Sequence, residues 1–186
     1  MAALMLPVPE DTSRVLQEIE VEGKRETHHH ITVIHLGKDI PIQAISRMLP
    51  VLYDVTSQQR PFSVSTQLVT TFPAGKDGLP VICKVDSPAL HEFRAKVKSA
   101  LDDSGIEYSN NFPDYKPHVT LAYSEKGSRE DQPIPRVTWG VNELLLWGSN
   151  RGAGRLVVKF PFSLTSDTLK RACVQLAIWA QTDDKV

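Results

Sequence analysis

Two short segments of the chain repeat one pattern, and this repeat constrains the fold more than any other feature of the sequence. Residues 30–33 read His-Ile-Thr-Val and residues 118–121 read His-Val-Thr-Leu, so both follow the order His, apolar, Thr, apolar. Side chains two positions apart leave the same face of a β-strand, and the residues between them leave the other face. Each segment therefore predicts a strand with an imidazole and a hydroxyl on one face and apolar side chains buried on the other.

Elsewhere in the chain the hydrophobic pattern predicts both strands and helices, which do not alternate strictly along the sequence. Helices are predicted over 41–55, where Pro50 is expected to kink or end the helix, over 88–103 behind a Ser87 N-cap, and over 166–181. Residues 10–22 fit either a short helix or an edge strand. This mixture favours an α+β fold over a doubly wound one. Strands are predicted over 30–36, 61–71, 79–86, 118–123, 136–147 and 155–164.

The composition is that of an ordinary globular protein and excludes several classes of partner. Of 186 residues, 41% are apolar and 23% are charged, which excludes a largely disordered chain. The formal net charge of −1 lacks the basic excess of a protein that coats long nucleic acid. A nucleotide or a short oligonucleotide is therefore the favoured partner, and no membrane and no obligate protein partner is indicated.

The N-terminus and the cysteines favour a cytoplasmic location. The segment 1–9 is mildly apolar but has no basic start, and Glu10 and Asp11 interrupt it, so no secretory signal is expected. Cys83 and Cys173 are the two cysteines, and their separation excludes a Cys-x-x-Cys metal or redox motif. We therefore expect two reduced thiols.

The paired His and Thr residues suit chemistry at a phosphodiester. An imidazole titrates near neutral pH, so one histidine can act as a base while its twin acts as an acid. The threonine hydroxyls can donate hydrogen bonds to the non-bridging phosphate oxygens, whose charge grows in the transition state. This chemistry requires no metal and no cofactor. The predicted catalytic residues are His30, Thr32, His118 and Thr120.

These motifs resemble those of the two-histidine (2H) phosphoesterase superfamily, which includes the LigT-like cyclic phosphodiesterases. The resemblance covers roughly residues 28–164. It implies a single bilobal domain over 1–186 with pseudo-two-fold symmetry, in which two antiparallel sheets with flanking helices surround a central cleft. It implies a metal-independent phosphodiesterase acting on a 2′,3′-cyclic phosphate, a 2′–5′ linkage or a cyclic oligonucleotide. It also favours His118 as the base and His30 as the acid, although the near-symmetry leaves the opposite assignment open.

The chain departs from the family at Tyr123, where many LigT-like members carry an arginine. An aromatic ring at this position suits stacking on a base, yet simple alternation along the strand sends Tyr123 to the face away from the catalytic groups. Tyr115 is a second candidate for stacking. His28 and Lys116 each precede a catalytic histidine by two residues, which makes both candidates for contact with substrate.

Three further features leave alternatives open. Alternation places His35 on the face opposite His30, which indicates a structural role. The run His28-His29-His30, together with His118, suggests a metalloprotein as one rival, although three adjacent histidines of a strand cannot all face one ion. The other rival is a nucleotide-binding sensor that has kept the cleft without turnover. Phe72, at the end of its strand, either lines the cleft or packs in the core.

Overall fold

The computed structural model describes residues 2–38, 40–75, 78–110, 113–125, 127, 130–150, 154–163, 173, 174 and 176. Within them the chain forms strands and three helices in an order that alternates only in part. The elements are β1 (Ala2–Pro7), α1 (Glu10–Gln17), β2 (Lys24–Arg25), β3 (His30–Gly37), α2 (Ile42–Ser57), β4 (Phe62–Thr71), β5 (Leu79–Asp86), α3 (Pro88–Asp103), β6 (His118–Ser124), β7 (Gln132–Pro133), β8 (Thr138–Val141), β9 (Glu143–Asn150) and β10 (Gly154–Pro161).

The strands form one antiparallel sheet, which confirms the predicted α+β fold. Its order is β10-β9-β1-β3-β6-β5-β4-β7, with β2 paired to β6 and β8 paired to β4. The two predicted sheets are therefore halves of one sheet. They join where β3 meets β6, and the register there consists of a single pair, Ile31 with Val119.

The helices α2 and α3 pack on each other and against the sheet. In α3, the predicted stripe of Leu90, Phe93, Val97 and Leu101 is buried, and the Ser87 hydroxyl accepts a hydrogen bond from the Leu90 amide at 3.3 Å, as expected for an N-cap. None of the helices described here is long and apolar enough to cross a membrane.

The helix α2 does not end at Pro50, since it continues to Ser57 with this proline inside it, and a kink at this position stays a prediction. Pro50 lies on the solvent side of the helix, while its neighbours Met48, Leu49 and Leu52 are fully buried. Burial of these side chains compensates for the backbone hydrogen bond that the proline removes.

Two other segments differ from the sequence predictions. No element was predicted for Ala2–Pro7, which forms β1 between β3 and β9. The predicted strand over 136–147 is divided into β8 and β9 at Asn142. Residues 10–17 are helical, which settles the choice left open for 10–22. The helix predicted over 166–181 lies outside the described residues except for three positions, of which Leu176 is buried.

The strand β1 was not predicted because it lies inside the sheet, between β9 and β3. Ala2–Leu6 are all buried, so the strand lacks the apolar-polar alternation of a half-exposed strand. It also consists of Ala, Leu, Met and Pro, which are not strong strand formers.

Substitution of a buried β1 residue tests the position of this strand. Leu4 is completely buried in the core cluster, so Leu4→Ala is expected to lower the free energy of unfolding by about 3 kcal/mol, measured by urea denaturation. Val15→Ala is the matched control, because Val15 is 43% exposed and its truncation leaves little cavity. A loss below about 1 kcal/mol for Leu4→Ala would contradict the central position of β1.

Candidate active site

The register of β3 and β6 brings together the four residues of the two motifs. Ile31 lies opposite Val119 on antiparallel strands, so His30 falls beside Thr120 and Thr32 falls beside His118. Ile31 and Val119 are completely buried, whereas all four motif residues are partly exposed. We call the sheet face that carries His30, Thr32, His118 and Thr120 the motif face. The opposite face, which packs on α3, is the core face.

Each motif histidine is held by the same hydrogen bond. His30 Nδ1 lies 2.8 Å from the carbonyl oxygen of His28, and His118 Nδ1 lies 2.7 Å from the carbonyl oxygen of Lys116. A carbonyl can only accept, so Nδ1 carries the proton and donates in both rings. In the neutral ring, Nε2 then carries the lone pair and is the nitrogen that can accept a proton.

The surroundings of His118 favour its neutral form. Burial lowers the pKa of this imidazole below its ordinary value of 6.5, and charge on the nearby His30 and His35 acts in the same direction. The hydrogen bond to the Lys116 carbonyl opposes this shift by favouring the charged ring. Phe72 contributes to the enclosure, because its ring meets the His118 ring edge-on with 4.6 Å between centroids. These surroundings suit a general base near neutral pH.

A β-bulge in each motif strand changes the face of the residues that follow. On β3, Met5 pairs with Thr32 and Leu4 pairs with Ile34, so Val33 is the extra residue. On β6, Ile82 pairs with Thr120 and Val81 pairs with Ala122, so the extra residue is Leu121. The bulges return His35 and Tyr123 to the motif face, where both side chains are partly exposed.

The placement of His35 and Tyr123 by simple alternation was therefore wrong, and the sequence contains the signal that was missed. In both repeats two apolar residues stand together, Val33-Ile34 and Leu121-Ala122, before a polar or aromatic residue resumes the pattern. All four of these apolar residues are buried. Such a doublet in an otherwise alternating strand indicates a bulge.

The residues of the His28–His30 run point in different directions. His29 is buried, and its Nδ1 lies 2.7 Å from the Ser13 hydroxyl of α1. Burial lowers the pKa of His29. The exposed His28 side chain lies against Thr27 at 3.1 Å, and its backbone carbonyl holds His30. Among the residues that the structure describes, no group of three or more His, Cys, Asp or Glu side chains is arranged to hold a metal ion.

Of the other predicted contacts, Lys116 is next to the site and Tyr115 is not. Lys116 is exposed, and its carbonyl orients His118. The Tyr115 ring lies on the core-face side, against His91 and Arg94 of α3. Lys84, which the sequence did not single out, is the cross-strand neighbour of His118 on the motif face and forms an ion pair with Asp131 at 3.5 Å.

The fold and the paired His-apolar-Thr-apolar motifs are those of the two-histidine (2H) phosphoesterase class. The model of the 2′-5′ RNA ligase superfamily matches residues 8–153, and the chain belongs to this superfamily. Membership supports a phosphoesterase activity. Comparison with curated proteins by sequence finds no match.

Solved structures share the fold at low sequence identity. The protein TT0787 of Thermus thermophilus aligns with a TM-score of 0.69 and 18% identity, over 87% of this chain and 97% of its own. A structure described as a phosphoesterase aligns with a TM-score of 0.63 and 14% identity, over 88% and 98%. LigT of E. coli, solved with 3′-AMP, aligns with a TM-score of 0.60 and 16% identity, over 88% and 97%. At these identities the likeness shows the fold alone.

The position of Tyr115 makes its hydroxyl dispensable for stability. The oxygen is buried and has no hydrogen-bond partner among the residues that the structure describes, and burial raises the pKa of the phenol. Tyr115→Phe removes a buried polar atom and keeps the ring, so the free energy of unfolding is expected to stay unchanged or to rise by up to about 1 kcal/mol in urea denaturation. A loss of more than about 1 kcal/mol would show that the hydroxyl has a partner.

Proposed function

We propose that this protein is a metal-independent phosphodiesterase that cleaves a 2′,3′-cyclic phosphate, a 2′–5′ linkage or a cyclic oligonucleotide by acid–base catalysis. The observation that carries the proposal is the matched pair of imidazoles, each with Nδ1 donating to a backbone carbonyl and Nε2 left for proton transfer. The two rings are held alike, and burial makes the His118 ring lose its proton more readily than an exposed histidine does.

The mechanism assigns the base to His118 and the acid to His30. With a cyclic phosphate, His118 Nε2 takes a proton from water as the water oxygen forms a bond to phosphorus. The bond from phosphorus to the departing ribose oxygen breaks, and protonated His30 gives its proton to that oxygen. The hydroxyls of Thr32 and Thr120 donate to the non-bridging oxygens. Proton exchange with solvent then restores both rings.

The substrate class is supported by charge and by the relatives. The net charge of −1 argues against long nucleic acid, since neutralisation of many phosphates needs a basic surface. LigT of E. coli has been solved with 3′-AMP and with phosphate. A small nucleotide or short oligonucleotide is therefore the proposed partner, and a cytoplasmic location fits such substrates.

A turnover screen tests the proposal. The panel contains 2′,3′-cyclic nucleotides, 2′–5′ and 3′–5′ oligoadenylates, ADP-ribose cyclic phosphate and cyclic di- and trinucleotides, with EDTA present throughout. Cleavage of at least one member is expected, and His30→Ala and His118→Ala are each expected to lower kcat by about 100- to 10,000-fold, the usual contribution of a positioned acid or base.

The control for this screen is Glu92→Ala, since this exposed side chain lies on α3, across the sheet from the pair. It is expected to retain the wild-type rate. Binding of a panel member without cleavage would support the nucleotide-sensor alternative. Cleavage that EDTA abolishes, or that survives both active-site substitutions, would contradict the two-histidine mechanism.

The pH dependence of kcat/KM tests which histidine is the base. A base must be deprotonated, so activity falls as the pH drops through the pKa of His118. Burial lowers that pKa, and the acidic limb of the profile is therefore expected below 6.5, the ordinary value for histidine. An acidic limb at or above that value would argue against His118 as the base in this environment.

A further inference from the structure

A side chain of α3 binds the backbone carbonyl of Val33, the extra residue of the bulge in β3. Val33 is the extra residue of the bulge, outside the register of β3 with β1, and it lies beyond the single pair that joins β3 to β6. Arg94 Nε donates to the Val33 carbonyl oxygen at 3.1 Å. A buried carbonyl without a donor is costly, so this contact stabilises the bulge.

The equivalent carbonyl in the second motif has a different partner. Leu121 is the extra residue of the β6 bulge, and its carbonyl accepts a hydrogen bond from the Glu26 backbone amide at 2.9 Å. The main chain therefore supplies the hydrogen-bond donor to the bulge carbonyl of β6, whereas an arginine side chain supplies the donor to the bulge carbonyl of β3. This difference makes the geometry of the first motif depend on the identity of one residue in α3.

The same arginine also contacts the segment that enters the second motif. Arg94 Cζ lies 4.4 Å from the centroid of the Tyr115 ring, within the range of a cation–π contact. Tyr115 directly precedes Lys116, whose carbonyl accepts from His118 Nδ1. On the other side of Lys116, the Pro117 carbonyl accepts from the Val85 amide at 3.1 Å. The carbonyl that orients His118 is thus fixed through both of its neighbours.

The geometry points to Arg94 as a positioning residue that ties the two motif strands together from the core face, through the Val33 carbonyl on one side and the Tyr115 ring on the other. We call Arg94 and Tyr115 the clamp. The inference rests on the proposed function for its kinetic consequence, since misplacement of a catalytic group by about 1 Å can reduce a rate about 100-fold. Its structural consequence, the fixed tautomer of His118, is measurable without turnover.

Arg94→Met tests the clamp with two readouts. With a panel substrate that the wild type cleaves, kcat is expected to fall about 10- to 100-fold while KM changes less than about three-fold, because the substitution moves a catalytic group without touching substrate. With ¹⁵N-labelled histidine at a pH where the ring is neutral, wild-type His118 is expected to show the Nδ1–H tautomer. In Arg94→Met the Nε2–H tautomer is expected to appear as well.

Lys98→Met is the matched control. Lys98 lies one turn further along α3, is half-buried like Arg94 and lines the same open cavity of about 560 Å³. It also stacks on a tyrosine, with Nζ 5.5 Å from the centroid of the Tyr108 ring, but Tyr108 does not adjoin a motif histidine. The control is expected to match the wild type in kcat and in the His118 tautomer.

Arg94→Lys keeps a cation near Tyr115 but lacks the Nε donor, so it is expected to recover part of kcat. This variant replaces Arg94→Met as the test if Arg94→Met does not fold.

Folding of each variant is checked by thermal unfolding. A folded Arg94→Met or Arg94→Lys with wild-type kcat and a pure Nδ1–H tautomer would overturn the inference, as would equal losses in Lys98→Met. If the wild type cleaves nothing in the panel, the proposed function fails, and the tautomer measurement still decides on the clamp.

Discussion

The site depends on one backbone pairing, that of Ile31 with Val119. This pair fixes the register between β3 and β6, and the register places each motif histidine beside the threonine of the other motif. A shift by one residue would turn all four side chains to the core face, because side chains alternate along a strand. Both residues of the pair are completely buried, so hydrophobic packing on the core face holds the geometry of the motif face.

The sequence predicted the strands, the α3 helix and the shared face of the quartet, because these follow from local periodicity. It did not predict what depends on pairing with distant segments. β1 is buried on both faces and shows no alternation, so Ala2–Pro7 appeared merely apolar. Strict alternation misplaced His35 and Tyr123, although the apolar doublets before them indicated bulges. The contact between Arg94 and the Val33 carbonyl joins residues 61 positions apart, and no local pattern indicates such a contact.

The two halves of the site are alike in backbone geometry and differ in their surroundings. The Nδ1 hydrogen bonds and the bulges repeat from one motif to the other. Within the described residues the packing differs, since Phe72 meets the ring of His118 and burial lowers the pKa of that ring. Two identical imidazoles in identical surroundings would have the same pKa, so one could not serve as the acid and the other as the base. Different surroundings are needed to separate the two roles. Under the proposed function, the asymmetric surroundings of His118 are what distinguish the base from the acid.

Under the proposed function, the presence of Tyr123 in place of an arginine reduces the permanent positive charge of the site. Many LigT-like members carry a permanent guanidinium at this position, whereas this chain carries a phenol on the motif face. Lys84, beside His118, is already paired with Asp131. Positive charge toward the phosphate then comes from the exposed Lys116 beside the site and from the imidazole that donates a proton to the leaving oxygen. Phosphate binding and proton donation thus share one imidazole, so the two functions cannot be tuned independently.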